Sequence, residues 1–167
     1  MNVSELLIEL YDRVVPLAEQ AVTGLDTEQL VDAPVGSNSI GWLIWHLARV
    51  QDDHLGEIMG SEQIWVSGDW GHRFGLVSDP GNIGYGHGPE DVAAVRPESA
   101  AALLEYLVAV AARTRAWLAK LVPDDLDQVV DHYEGDPITM GVRLVSVADD
   151  CLQHVGQANY IRGRNGW

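Results

Sequence analysis

The amino-acid sequence predicts an all-α fold, a four-helix bundle made by one domain that spans residues 1–167. Apolar residues recur three and four positions apart in four long stretches, as they do on the buried face of an amphipathic helix. No stretch shows the sustained alternation of apolar and polar residues that indicates a strand. With 47% hydrophobic residues, the 167-residue chain is long enough for one sizeable core and too short for two domains.

The first predicted helix runs from Ser4 to about Leu25. Ser4 is expected to cap it, and Pro16, which has no backbone donor, is expected to bend it. The apolar face of this helix is formed by Leu6, Leu7, Leu10, Val14, Leu17 and Ala21.

The second predicted helix begins after a Pro/Gly/Ser cluster, where Ser37 or Ser39 caps it, and ends near Met59 or Gly60. Residues 60–97 are rich in glycine and proline, which predicts a long irregular connection. Its aromatic and basic side chains either cover a pocket or pin the loop to the bundle. They are Trp65, Trp70, His72, Arg73, Phe74, Tyr85 and His87.

The alanine-rich stretch from Glu98 to Leu121 predicts the third helix. A polar connection over residues 123–137 follows. The last helix is expected to begin at Ile138 or Thr139 and to end at Gly163, because glycine commonly follows the last helical turn.

The composition excludes several classes of function. A net charge of −15 and a pI near 4.5 argue against binding to nucleic acid or to an anionic membrane. The single cysteine, Cys151, cannot form an internal disulfide and fits a reducing cytoplasm. It reads as a core thiol whose pKa is raised by acidic neighbours. No signal or membrane-spanning segment is evident. Small molecules are therefore the expected partners.

A candidate metal site stands out in the last helix. Asp150 and His154 are four residues apart, so both side chains lie on one helix face and can reach one divalent cation. His46 on the second helix is the best third ligand. Three protein ligands with an open position are typical of a catalytic zinc site. Alternatively, each histidine is simply buried and hydrogen-bonded, and Asp150 is paired with Arg143, Arg162 or a helix neighbour.

Four residues near these ligands are candidates for supporting the site or binding substrate: His54, Arg49, Gln157 and Trp42. His54 lies two turns after His46, so it is either a substitute ligand, a supporting group or part of a solvated cluster with Asp52 and Asp53. Arg73 is a further candidate for orienting substrate. The default location for His72, His87 and His132 is the surface.

Two short motifs carry a resemblance to a known family: Trp45-His46-Leu47 on the second helix, and His154-Val155-Gly156-Gln157 on the fourth, which is followed by Tyr160-Ile161-Arg162. The chain resembles the DinB-like superfamily, and within it the branch of mycothiol-dependent maleylpyruvate isomerase and related thiol transferases. The resemblance implies an up-down-down-up bundle, frequent dimerisation, and a divalent metal, zinc or nickel, held by His46, Asp150 and His154. Asp150 departs from the family pattern, which usually has Glu or His there, and its carboxylate is one methylene shorter.

The resemblance implies an enzyme in which the metal activates a low-molecular-weight thiol, such as mycothiol, for transfer to a small electrophile. The same open site would equally activate water, as in a hydrolase. A helical module without turnover, with or without a metal, is the remaining alternative.

Overall fold

The computed structural model describes residues 1–167 and contains eight α-helices, two short 3-10 helices and one β-hairpin. The α-helices are α1 (Val3–Tyr11), α2 (Val14–Val22), α3 (Thr27–Val31), α4 (Ile40–Met59), α5 (Ile64–Ser67), α6 (Pro89–Ala94), α7 (Ala100–Leu118) and α8 (Met140–Asn165). The 3-10 helices are Trp70–Phe74 and Pro123–Asp127, and the hairpin pairs β1 (Val129–Tyr133) with β2 (Asp136–Thr139). None of the helices is both long and apolar enough to cross a membrane.

The bundle consists of α1 with α2, α4, α7 and α8, packed around one hydrophobic core. Hydrogen bonds show that α1 and α2 run parallel to α8, because the residue numbers of the bonded partners increase together along both segments. The pairs are Tyr11 with Leu144, Leu17 with Asn159, and Ala21 with Arg162. The partners of α4 and α8 run in opposite order: Leu47 with Cys151, and His54 with Arg143. The residue numbers of the bonded partners on α4 and α7 increase together, so these two helices run parallel: Arg49 pairs with Tyr106, and Gln51 with Thr114. The order is therefore up-down-down-up, as expected.

The first bundle helix is interrupted one turn before Pro16. Pro16 has no N–H to donate to the carbonyl oxygen of Asp12, four positions earlier. Helix α1 ends immediately before Asp12, at Tyr11. Pro16 itself lies in the first turn of α2, where proline is tolerated. The expected cap at Ser4 is wrong, because Asn2 caps α1 by accepting a hydrogen bond from the Glu5 N–H.

The helix that carries His46 starts as predicted, with the Ser39 hydroxyl accepting a hydrogen bond from the Trp42 N–H. It ends at Gly60, which adopts a left-handed φ of 62°. The last helix passes through Gly163 and stops only at Gly166, with φ 72°. The expected end at Gly163 is therefore three residues too early, because a glycine inside a helix costs only about 1 kcal/mol relative to alanine and does not by itself end the helix.

Two segments are more ordered than expected. The connection over residues 60–97 contains α5, a 3-10 helix and α6 rather than irregular chain alone. The polar connection before α8 holds an antiparallel hairpin, although no strand was predicted. Its turn uses Glu134 and Gly135, both with positive φ, which is the geometry of a tight hairpin turn.

Candidate metal centre

The antiparallel packing of α4 against α8 brings His46, Asp150 and His154 together. One ligand atom from each side chain lies within 4.8 Å of the other two. Asp150 Oδ1 is 4.0 Å from His46 Nε2 and 3.5 Å from His154 Nε2. His46 is buried, whereas the side chains of Asp150 and His154 are about one-fifth exposed, so the cluster is open to solvent on the α8 side only.

Both imidazoles are oriented so that Nε2 faces the carboxylate. His46 Nδ1–H donates to the carbonyl oxygen of Ile83, and His154 Nδ1–H donates to Oε1 of Gln157 at 2.9 Å. Because a neutral imidazole carries one proton, Nε2 of each ring then has a free lone pair. Hydrogen bonding of the far ring nitrogen to a carbonyl or amide oxygen is the usual support for a metal-ligating histidine.

The Asp150 carboxylate is the part of the cluster that lacks partners. Its Oδ2 is buried and has no hydrogen-bond partner. The two arginines considered from the sequence are engaged elsewhere: Arg143 contacts His54 and Asp131, and Arg162 donates to the Ala21 carbonyl. A buried carboxylate oxygen without a donor is costly, so this donor set fits a divalent cation held by two nitrogens and one carboxylate.

The electrostatics of the two histidines differ. Burial lowers the pKa of His46, which keeps it neutral. Burial also lowers the pKa of His154, but the Asp150 carboxylate 3.5 Å away and the hydrogen bond to Gln157 outweigh that effect and leave the pKa above the ordinary value. The same carboxylate therefore attracts positive charge to this position, whether it is carried by a proton or by a metal ion. Burial and Asp150 raise the pKa of the Cys151 thiol, which is a core residue as expected.

The loop that follows Asn82 covers the His46 ring. Gly84 has φ 101°, and a Cβ atom placed on it would lie 2.4 Å from His46 Nδ1, so only glycine allows this close approach. The Tyr85 ring meets the His46 ring edge-on at 5.5 Å, and the Trp42 ring stacks on the His46 ring at 4.5 Å. Neither Ile83 nor Gly84 was singled out from the sequence; the only signal was the density of glycines.

Some aromatic and basic side chains of residues 60–97 cover the candidate site, and others pin the connection to the bundle. Tyr85 covers the cluster, whereas Trp65 and Phe74 are fully buried and pin the connection to the core. Arg73 pairs with Glu98 and Glu105, away from the ligands. His87, expected at the surface, is half-buried: it stacks on Trp45 and accepts a hydrogen bond from the Trp42 indole. His72 and His132 are exposed as expected.

Arg49 supports the covering loop rather than facing a substrate. Its guanidinium is fully buried and donates to the carbonyl oxygens of Pro80 and Asn82 at 2.9 and 3.1 Å. The expectation of a solvated Asp52 is wrong: it is fully buried and accepts hydrogen bonds from Tyr106 and Arg113. A buried carboxylate needs such partners, and they come from α7.

His54 is not part of the three-residue cluster. Its Nδ1 accepts a hydrogen bond from Arg143 at 3.1 Å, and it lies 3.6 Å from the Asp53 carboxylate. Both burial and Arg143 lower its pKa. Gly156 of the motif His154-Val155-Gly156-Gln157 makes no close approach to another helix, because a Cβ atom added to it would have no neighbour within 4 Å.

Comparisons with known proteins agree with this architecture. The family model described as the DinB superfamily matches residues 10–158. A conserved protein from Enterococcus faecalis, solved by crystallography, is 31% identical, with a TM-score of 0.88 over 97% of this chain and 96% of that chain. No curated protein matches the sequence significantly.

A second solved structure is more distant. YfiT from Bacillus subtilis, described as a probable metal-dependent hydrolase with an unusual four-helix bundle topology, is 17% identical. Its TM-score is 0.68 over 98% of this chain and 88% of that chain, a likeness of fold alone. Since the family model spans most of the bundle and the helix order is the one that the resemblance implied, the chain belongs to the DinB superfamily.

Proposed function

We propose that this protein is a divalent-metal-dependent enzyme whose cation is held by His46, Asp150 and His154. The observation that carries the proposal is the buried, unpartnered Oδ2 of Asp150, flanked by two imidazoles that both present Nε2. A divalent cation would satisfy all three groups at once. Zinc is the metal that best matches two nitrogen ligands and one carboxylate oxygen, with nickel as the alternative.

A cation bound there would lower the pKa of a water or a thiol that coordinates to it. The chain's own residues contribute position and shielding. Ile83 and Gln157 fix the two imidazole rings. Trp42 and Tyr85 exclude water from two sides of His46. Access remains along the partly exposed edges of Asp150 and His154, which is where a small nucleophile and its substrate would enter.

Water is the nucleophile that we favour. A cavity of about 70 Å³ is lined by Val50 and Ser146, which lie one helical turn from His46 and Asp150, and it has room for about two water molecules. The description of YfiT as a probable metal-dependent hydrolase points the same way. Thiol transfer with mycothiol is the second candidate, supported by the sequence motifs and by the exposed edge of His154, which a larger thiol could approach from solvent.

The proposal is tested first by the metal content of the purified protein and then by its turnover. Protein purified without an affinity tag should contain about one equivalent of zinc or nickel, and His46→Ala should lose it. The metal-loaded protein is then assayed with an activated ester in water, and with a chromogenic electrophile plus a small thiol. Wild-type protein that binds no divalent cation would refute the proposal, because an Asp150–His154 ion pair alone would then account for the cluster.

A further inference from the structure

His87 links the Trp42 ring to the loop that covers His46. Its Nδ1 is 3.1 Å from the Trp42 indole nitrogen, and its Nε2 is 3.0 Å from Oδ1 of Asn82. An indole N–H can only donate, so His87 Nδ1 is the acceptor and the proton of the neutral ring is on Nε2. His87 Nε2–H therefore donates to Asn82, and both ring nitrogens of His87 are engaged.

Asn82 is held at two points, immediately before the residue that His46 contacts. Its side chain accepts the hydrogen bond from His87, and its main-chain carbonyl oxygen accepts one from Arg49 Nε at 3.1 Å. The next carbonyl oxygen along the chain, that of Ile83, accepts from His46 Nδ1. Because the peptide units between these groups are planar and rigid, holding Asn82 restricts where the Ile83 carbonyl can lie.

The other nitrogen of His87 holds the Trp42 ring. Trp42 stacks on His46, with ring centroids 4.5 Å apart and planes inclined by 18°, and it meets the His154 ring at nearly a right angle, 6.2 Å away. The His87 ring itself stacks on the fully buried Trp45 at 5.8 Å. His87 is therefore fixed in its own plane and contacts a side chain that packs against both candidate ligands.

From this closed circuit of contacts we infer that His87 is a positioning residue of the metal centre. Through one nitrogen it holds the strand of loop that presents the Ile83 carbonyl to His46, and through the other it holds the ring that stacks on His46. The Ile83 acceptor keeps the His46 proton on Nδ1, which leaves Nε2 free for a cation. The inference rests on the proposed function, because a free Nε2 at this place matters only if a cation binds there.

The first measurement is the tautomer of His46, read by NMR from the imidazole nitrogen shifts of metal-free protein with isotope-labelled histidine. In the wild type we expect the proton on Nδ1. His87→Phe keeps an aromatic ring against Trp45 but removes both hydrogen bonds, so we expect His46 to become a mixture of tautomers. Ser4→Ala is the control: it removes a buried hydrogen bond between α1 and the Leu118 carbonyl and should leave the His46 tautomer unchanged.

The second measurement is zinc affinity by competition with a chelator. His87→Phe and Asn82→Ala should each weaken zinc binding by about tenfold, because each releases the support of a ligand. The double variant should be no weaker than His87→Phe, since both changes break the same link, whereas independent effects would multiply to about a hundredfold. Asn82→Asp keeps the acceptor oxygen and should bind zinc as tightly as the wild type.

A single His46 tautomer together with wild-type zinc affinity in His87→Phe would overturn the inference. Effects that multiply in the double variant would also overturn it, because His87 and Asn82 would then act separately. Should His87→Phe not fold, Asn82→Ala at the half-buried loop position makes the same test. If the wild type binds no zinc, the proposed function fails, and the His46 tautomer alone decides whether His87 positions that ring.

Discussion

Gly84 is the position at which one added methyl group tests the candidate metal centre most directly. In Gly84→Ala, the new Cβ would lie 2.4 Å from His46 Nδ1 and 3.1 Å from the Trp42 ring, so the His46 ring must retreat by about 1 Å to restore ordinary contact, a displacement large enough to disturb a metal ligand. The hydrogen bond from His46 to the Ile83 carbonyl lies in the same place and would be lost or lengthened.

Gly86→Ala is the matched control. Gly86 also has a positive φ, 75°, but no atom lies within 4 Å of its Cβ position. We expect both variants to lose about 1–2 kcal/mol of unfolding free energy from the backbone conformation. Gly84→Ala should lose about 1–3 kcal/mol more from the steric conflict. Its zinc affinity should fall by about tenfold to a hundredfold, the usual effect of disturbing a ligand's support.

Urea unfolding followed by circular dichroism measures the first effect, and competition for zinc with a chromogenic chelator measures the second. Zinc affinity that is unchanged from wild type in Gly84→Ala would refute the reasoning, because the covering loop would then have no influence on His46. A fall of equal size in both variants would also refute it, since only one of them touches the imidazole.

Three further perturbations test the rest of the structure. Asp150→Asn should lower zinc affinity by about a hundredfold or more while Asp149→Asn, on the exposed side of the same turn, leaves it unchanged; elemental analysis distinguishes them. Asp52→Asn should cost about 3–5 kcal/mol in urea unfolding, because it removes the buried carboxylate that pairs with the fully buried Arg49 and with Arg113; a loss below about 1 kcal/mol would contradict this. Burial raises the pKa of Tyr106 well above its ordinary value of about 10, so its contribution to stability is constant below pH 10 and is lost as the pH rises further. The urea midpoint should therefore fall above pH 10, and less steeply in Tyr106→Phe; identical slopes would contradict the burial argument.

The helices and the three clustered residues follow from local patterns. Spacing by four places Asp150 and His154 on one face whatever the rest of the chain does, and the apolar stretch around His46 makes that helix buried. The features that the sequence did not reveal depend on distant partners. The buried Asp52 carboxylate takes its donors from three helices: Arg49 on α4, the N–H groups of Ile64 and Trp65 on α5, and Tyr106 and Arg113 on α7. Of these, only Arg49 is near it in sequence.

The hairpin was missed for a different reason. The strands are short, and Asp136 and Pro137, at the end of the predicted polar connection, are residue types that are uncommon inside strands, although they begin β2. The Glu134-Gly135 turn was the local signal that could have revealed it. The role of Gly84 could not be read locally, since one glycine among many in a loop gives no indication of what it approaches.

Because α4 and α7 run in the same direction, the chain must travel back along the full length of a 20-residue helix, about 30 Å, before α7 begins. This returning segment places Ile83, Gly84 and Tyr85 against the imidazole of His46. The bundle's topology therefore makes the same residues both the connection between two helices and the cover of the candidate metal site. Changes of length or composition in this crossing segment would alter which molecules reach His46, Asp150 and His154 while leaving the four packed helices as they are.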